Sequence, residues 1–448
     1  MNSSQKRFNS RPLCSVFLAL CFVFCQNISF GNDKNNNGKH SKDFLHAHGT
    51  KLCLNGKEYR QISFNVPFLL FEYLDIGWEH QRGSKPNAKK KIKELGERKF
   101  KLIRIMGPFY SAWYNEVFFD KDKNVEKQKR DNFFKIFDEM LDDLDEYNIK
   151  IIFSPVWNIE TLADFGGHSL YEGLVNPESV GYKKYIEFVG EVARRYKNRK
   201  TVAAWEVPGN EWDLFTNQQA PDGVFQVRDG AECLYDENGR RLCSADSLAP
   251  GVIVRDKRNN ISAFDLAIFS IRVANDVRKI DPNHMVVSGH SSGRENAMHL
   301  LEAFANGNPP DWGRDSPDQR EDHIRITHYG LDAVSVHHYE SADDGNIKFY
   351  KNVAFGMGKP LIIGEVGPDG FKKPRDMSYT SAESLNHLEK ILDAVIENEV
   401  PITLFWVYGD DRIGKKDMDF QLRYGLTDEA LALIESANKK IQEKTRPE

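Results

Sequence analysis

From residue 49 onward the chain alternates short apolar runs with amphipathic stretches, eight times over, and that rhythm limits the folds open to it. The first apolar run ends near Asn65. The others are FKLIRIM (100–106), IKIIFSPVW (149–157), TVAAWEV (201–207), HMVVSG (284–289), DAVSVHHY (332–339), PLIIGEVG (360–367) and ITLFWVY (402–408). Near-continuous apolar runs of this length suit parallel strands covered on both faces. Between them, apolar positions recur at the helical period, most plainly in FFKIFDEMLDDLDEY. Helices are expected near 86–98, 127–147, 178–198, 262–280, 318–330, 346–356, 381–397 and 427–442. Eight βα units predict an α/β fold, a (β/α)8 TIM barrel forming one domain over residues 49–448. An open doubly wound sheet is the alternative, but no Gly-rich turn follows the first strand. Ahead of the first barrel strand, KLCLNGKEYRQISFN reads as a hairpin turning at Asn55-Gly56.

The segment before residue 49 reads differently. Lys6, Arg7 and Arg11 precede the apolar run LCSVFLALCFVFC (13–25), which is too short to cross a bilayer comfortably. This is the pattern of a secretory signal peptide over residues 1–31, and it places the protein outside the cytoplasm. An uncleaved membrane anchor is the alternative. The polar stretch that follows, 32–48, is expected to be a linker. Of six cysteines, three lie in the signal. Cys233 and Cys243 flank LYDENGRRL and could bridge a hairpin in an oxidising compartment; free thiols are the other reading. No Cys–His spacing resembles a metal site. A net charge of −5 gives no hint of a nucleic-acid partner.

In a barrel of this kind chemistry gathers at the C-terminal ends of the strands, on the βα loops. The connection 213–261 is long, and 67–85, 107–126 and 306–323 are shorter insertions on the same face. Strand two carries Arg104, and strand three ends in Trp157-Asn158. Strand four runs into Asn210-Glu211, with Glu206 inside it. Strand five ends near His290, strand six in His337, His338 and Tyr339, strand seven in Glu365, and strand eight in Trp406. Adjacent histidines on a strand face opposite ways, so only one of His337 and His338 can enter the mouth. Two glutamates across a barrel mouth fit glycoside hydrolysis, in which one carboxyl protonates the leaving oxygen and another attacks or directs water. A separation of ~5–5.5 Å goes with retention and a larger one with inversion. That chemistry needs no metal or organic cofactor.

These residues, taken in order, resemble the clan A glycoside hydrolases and most of all family 5, the cellulase and mannanase family. The resemblance covers about residues 49–440. It implies Glu211, preceded by Asn210, as acid/base and Glu365 as nucleophile. Tyr339, with His337 in the same His-x-Tyr, would hydrogen-bond the nucleophile. Arg104 would hold it ionised, and Trp406 would floor the sugar site. Trp157, Asn158 and His290 are expected to contact or support the substrate, a β-mannan or β-glucan. The chain departs from the family in two places. The Pro-Gly of WEVPGNE stretches the spacing before Asn210, which makes Glu206 a rival acid/base. Strand three ends in Trp157-Asn158 where many cellulases have His-Asn. The expected activity is that of a secreted retaining β-glycosidase, with a carbohydrate as partner and a monomer favoured. A non-catalytic glycan-binding barrel and a metal-assisted hydrolase are the competing readings.

Overall fold

The computed structural model describes residues 42–408 and 428–444, except 76, 79–80, 83, 109–116, 158–169, 211–232, 236–240, 244–261, 291–295, 307, 310, 340–343 and 368–381. Eight barrel strands are present: β1 (Gln61–Asn65), β2 (Leu102–Met106), β3 (Lys150–Ser154), β4 (Val202–Asn210), β5 (Met285–Gly289), β6 (Val334–His338), β7 (Leu361–Val366) and β8 (Ile402–Phe405). They form one sheet in the order β5-β4-β3-β2-β1-β8-β7-β6, parallel at every pairing. The two outer strands of that order meet through Asp332. Its N–H donates to the Val286 carbonyl (2.9 Å), and its carboxylate accepts from the Val286 N–H (2.7 Å). The (β/α)8 barrel expected from the sequence is therefore the observed fold.

The strand sequences explain the two layers around this sheet. Successive side chains on a strand point to opposite faces. Ile103, Ile105, Ile151, Phe153, Val286 and Ile363 join the outer core beneath the helices. Leu102, Ile152, Ala204, Met285, Ile362 and Leu404 fill the barrel interior. The outer ring consists of α1 (Lys85–Glu97), α2 (Lys123–Glu146), α3 (Val180–Tyr196), α4 (Ala263–Ile280), α5 (Pro317–Thr327), α6 (Asp344–Gly356), α7 (Ala382–Glu397) and α8 (Asp428–Lys444). Several starts are capped as their sequences suggest. Asp122 accepts from the N–H groups of Asn124 and Val125, and Ser262/Asp265 and Ser316/Gln319 form reciprocal capping boxes.

The lower end of the barrel is closed by the strands His46–His48, Lys51–Leu54 and Lys57–Glu58. Asn55 and Gly56 both take positive φ (55° and 76°), as the expected two-residue turn demands. Leu45 and Leu52 insert into the interior cluster with Leu102 and Met285. This corrects the linker boundary: Phe44 and Leu45 are buried and 46–48 is a strand, because the barrel floor needs an apolar cover. The signal peptide and most of the linker lie outside the described residues.

Other boundaries shift for local reasons. β3 stops at Ser154, before Pro155, which has no N–H for the ladder. β4 runs on to Asn210 rather than ending at 207. Short helices at Leu69–Leu74, Leu170–Val175 and Ala297–Ala305 were not anticipated from the sequence; they are too brief to show a helical period. The hairpin expected around Cys233 and Cys243 is present as two short strands, with those two residues directly opposed. Among the described residues no helix is long and apolar enough to cross a membrane.

Candidate active site

Two irregularities in the sheet lie at the strand ends of the barrel mouth, and one of them turns a carboxylate inward. On β7, Ile363 pairs with Val336 but Glu365 pairs with His337, so β7 carries one extra residue, Gly364, at that step. Strict alternation would turn Glu365 outward, on the same face as Ile363. The bulge reverses it, as bulges beside functional sites commonly do. On β4, Glu206 pairs with Val287 and Asn210 with Gly289, so four steps on β4 match two on β5. The Pro208-Gly209 insertion is absorbed there. Asn210 returns to register at the strand's end, and proline is tolerated at such a bulge.

Arg104, only 1% exposed, is the centre of the group that results. Its Nε and Nη2 donate to the two oxygens of Glu206 (2.5 and 2.9 Å). Its Nη1 donates to Glu365 Oε1 (2.7 Å) and to Asn65 Oδ1 (3.1 Å). The Asn65 amide nitrogen donates in turn to the Gly364 carbonyl, tying the bulge to β1 (2.9 Å). The other oxygen of Glu365 accepts from the Tyr339 hydroxyl (2.7 Å) and lies 3.5 Å from His337 Nδ1. The Arg104 guanidinium also lies over the Trp157 ring, 4.1 Å from its centroid. Such stacking stabilises a desolvated cation.

The electrostatics follow from burial and these partners. Burial pushes the Glu365 carboxyl above the usual glutamate range, and Glu206 adds to the push; Arg104 and the Tyr339 hydroxyl pull the other way. For Arg104, burial disfavours the charge, but Glu206 and Glu365 together outweigh it and hold the guanidinium more firmly protonated than usual. His290 is forced down to about 3 by burial, although Glu206 favours its charged form. That histidine is therefore neutral near neutral pH.

The expected residues divide as follows. Arg104, Glu365, Tyr339 and His337 come together in direct contact. His338 faces outward toward Tyr350 of α6, as alternation requires. Trp157 and Trp406 lie side by side, centroids 6.0 Å apart, within an apolar group that includes Phe68, Phe71 and Met106. Trp157 thus backs Arg104 rather than standing free. His290 is 1% exposed and packs edge-on against His328, so it supports the wall beneath the mouth. Asn210 ends β4, while Glu211 and Asn158 lie outside the described residues. Sequence reasoning missed Asn65 as a site residue, although a polar side chain at the end of an apolar strand was the available signal. It also missed Gly289, where an added Cβ would stand 2.5 Å from Glu206 Oε1 and 2.7 Å from Arg104 Nη2. Among the described residues no group of three or more His, Cys, Asp and Glu could hold a metal ion.

No protein-family model and no curated protein matches the sequence. Solved structures do match. The chain is similar to a glycoside hydrolase family 5 mannosidase from Rhizomucor miehei (13% identity, TM-score 0.55, covering 90% of this chain and 99% of that one). It is similar to an endo-1,4-beta-mannanase from the same organism (14%, TM-score 0.56, 89% and 99%). It is also similar to an endo-beta-1,4-mannanase from Thermotoga petrophila (15%, TM-score 0.55, 88% and 79%). At such identities the likeness lies in the backbone, and it extends over nearly the whole barrel. The chain has the (β/α)8 fold seen in family 5 glycoside hydrolases.

Proposed function

We propose that the protein is a retaining β-glycosidase acting on a β-mannan or a related β-linked glycan, exported from the cytoplasm by its N-terminal signal. The observation that carries this reading is the setting of Glu365. It is a buried carboxylate at the mouth of the barrel, turned inward by a bulge, with Arg104 on one oxygen and Tyr339 on the other. These two donors stabilise the ionised form and fix its orientation, which is what an attacking carboxylate requires. Glu211, immediately after the last residue of β4, is the acid/base. In the first step Glu365 attacks the anomeric carbon as Glu211 protonates the departing glycosidic oxygen. A glycosyl ester forms and the aglycone leaves. In the second step Glu211 takes a proton from water, the water oxygen bonds to the anomeric carbon, and the ester to Glu365 breaks. The mannan preference rests on the structural likeness to mannan-cleaving enzymes.

The test is turnover of β-mannan, β-glucan and aryl β-glycosides by the wild type, Glu365→Gln and Glu211→Gln, with product anomers followed by NMR. The reading expects a first-formed β-anomer from the wild type and losses of roughly 10⁴-fold or more for Glu365→Gln. Binding without turnover in the wild type would favour a glycan-binding barrel instead, and a first-formed α-anomer would exclude the retaining mechanism.

A further inference from the structure

Glu206 is a second buried carboxylate on the same guanidinium that serves Glu365. It is 2% exposed and holds Arg104 through two parallel hydrogen bonds, the geometry that fixes a guanidinium plane most firmly. Arg104 then has a single direction left for Nη1, and that direction leads to Glu365 and Asn65. Gly289, on the neighbouring strand, leaves the space this pair occupies, since a Cβ there would meet Glu206 Oε1 at 2.5 Å and Arg104 Nη2 at 2.7 Å. Ion pairing alone would not need both the bidentate contact and a vacant position beside it.

We infer that Glu206 and Gly289 are positioning residues: together they lock Arg104 in the one orientation that serves Glu365. The role of Glu365 as nucleophile is taken from the proposed function; the lock itself is independent of it. Charged and titratable groups face this pair from several elements. Around Glu365 they are Arg104 on β2, Glu206 on β4, His337 on β6 and Tyr339 just beyond it. Around Glu206 they are Arg104, His290 after β5 and Tyr185 of α3. His290 is neutral near pH 7, and burial with Glu206 holds the Tyr185 phenol protonated. Arg104 is the permanent cation of this set, shared between two carboxylates. Removing the Glu206 carboxylate takes away the two contacts that hold that guanidinium in place.

The experiment is a carboxyl ¹³C NMR titration of [δ-¹³C]Glu-labelled full-length protein, with the Glu365 signal assigned by its loss in Glu365→Gln. Glu206→Gln is expected to move the Glu365 midpoint up, because Arg104 loses the bidentate contact that aims its Nη1 at Glu365 and favours the ionised carboxylate. An unchanged or lowered midpoint, the result of removing a like charge beside a guanidinium that keeps its place, overturns the inference. If Glu206→Gln does not fold, Gly289→Ala decides, since it keeps both charges and disturbs only their placement. A displaced Glu365 midpoint, with kcat lower by about tenfold or more and KM little changed, supports the lock; a wild-type titration overturns it. The titration needs no substrate. A wild type that turns over no glycan therefore defeats the proposed function while leaving this inference to its own test.

Discussion

A guanidinium with Glu206 along its Nε–Nη2 edge and Glu365 on Nη1 cannot tilt without leaving a buried carboxylate bare. Losing one partner of such a buried pair costs on the order of 3–5 kcal/mol, which strongly disfavours any other orientation. Tyr339 acts from the opposite side of Glu365. Its hydroxyl stabilises the ionised carboxylate, against burial, which raises the carboxyl's pKa. Tyr339→Phe should therefore raise the Glu365 pKa further. On the proposed mechanism Glu365 must be ionised to attack, so the acid limb of kcat/KM should move to higher pH while the alkaline limb stays in place. The loss should be largest on the acid side and should shrink as the pH rises. A pH–rate profile superimposing on the wild type would show that the hydroxyl does not tune Glu365. At this scale Glu365, Tyr339 and Trp406 could be picked out of the sequence as polar or aromatic residues at the ends of apolar strands, and Arg104 as a charge inside one. The pairing of Arg104 with Glu206 could not, since it joins positions 102 residues apart.

Individual elements depend on small departures from regularity. The Gly364 bulge decides which way Glu365 faces, and the four-against-two step on β4 absorbs Pro208-Gly209. Asp332 does comparable work at the junction of β5 and β6. Its carboxylate accepts from Val286 N–H and from Arg278, while its own N–H donates to the Val286 carbonyl. Asp332→Ala would leave the Val286 N–H without its acceptor, a loss of about 1–3 kcal/mol. Urea unfolding should show that loss as a lower midpoint with an unchanged slope. A midpoint equal to wild type would mean that the junction is held by other contacts. Strand and helix positions were readable from periodicity to within a few residues. The bulges were not, because an extra residue in a strand is defined only by its partner strand.

Across the whole molecule the two ends of the barrel are built from different materials. The floor is apolar, sealed by Leu45 and Leu52 against Leu102 and Met285, and the mouth is a polar network on Arg104. Leu52→Ala should thus cost about 2–5 kcal/mol and lower the melting temperature. The Glu365 midpoint, read in the same ¹³C titration, should not move. A shifted midpoint would show that floor and mouth are mechanically coupled. The sequence by itself determined the eight βα units, the hairpin at Asn55-Gly56 and the strand ends where chemistry collects, because periodicity and turn chemistry act over neighbouring residues. Only the tertiary structure decided that 44–48 belongs to the barrel floor, that Glu365 turns inward, and that Glu206 and Gly289 hold Arg104 in place. Those outcomes depend on which strands become neighbours and in what register, and closure of the sheet fixes both.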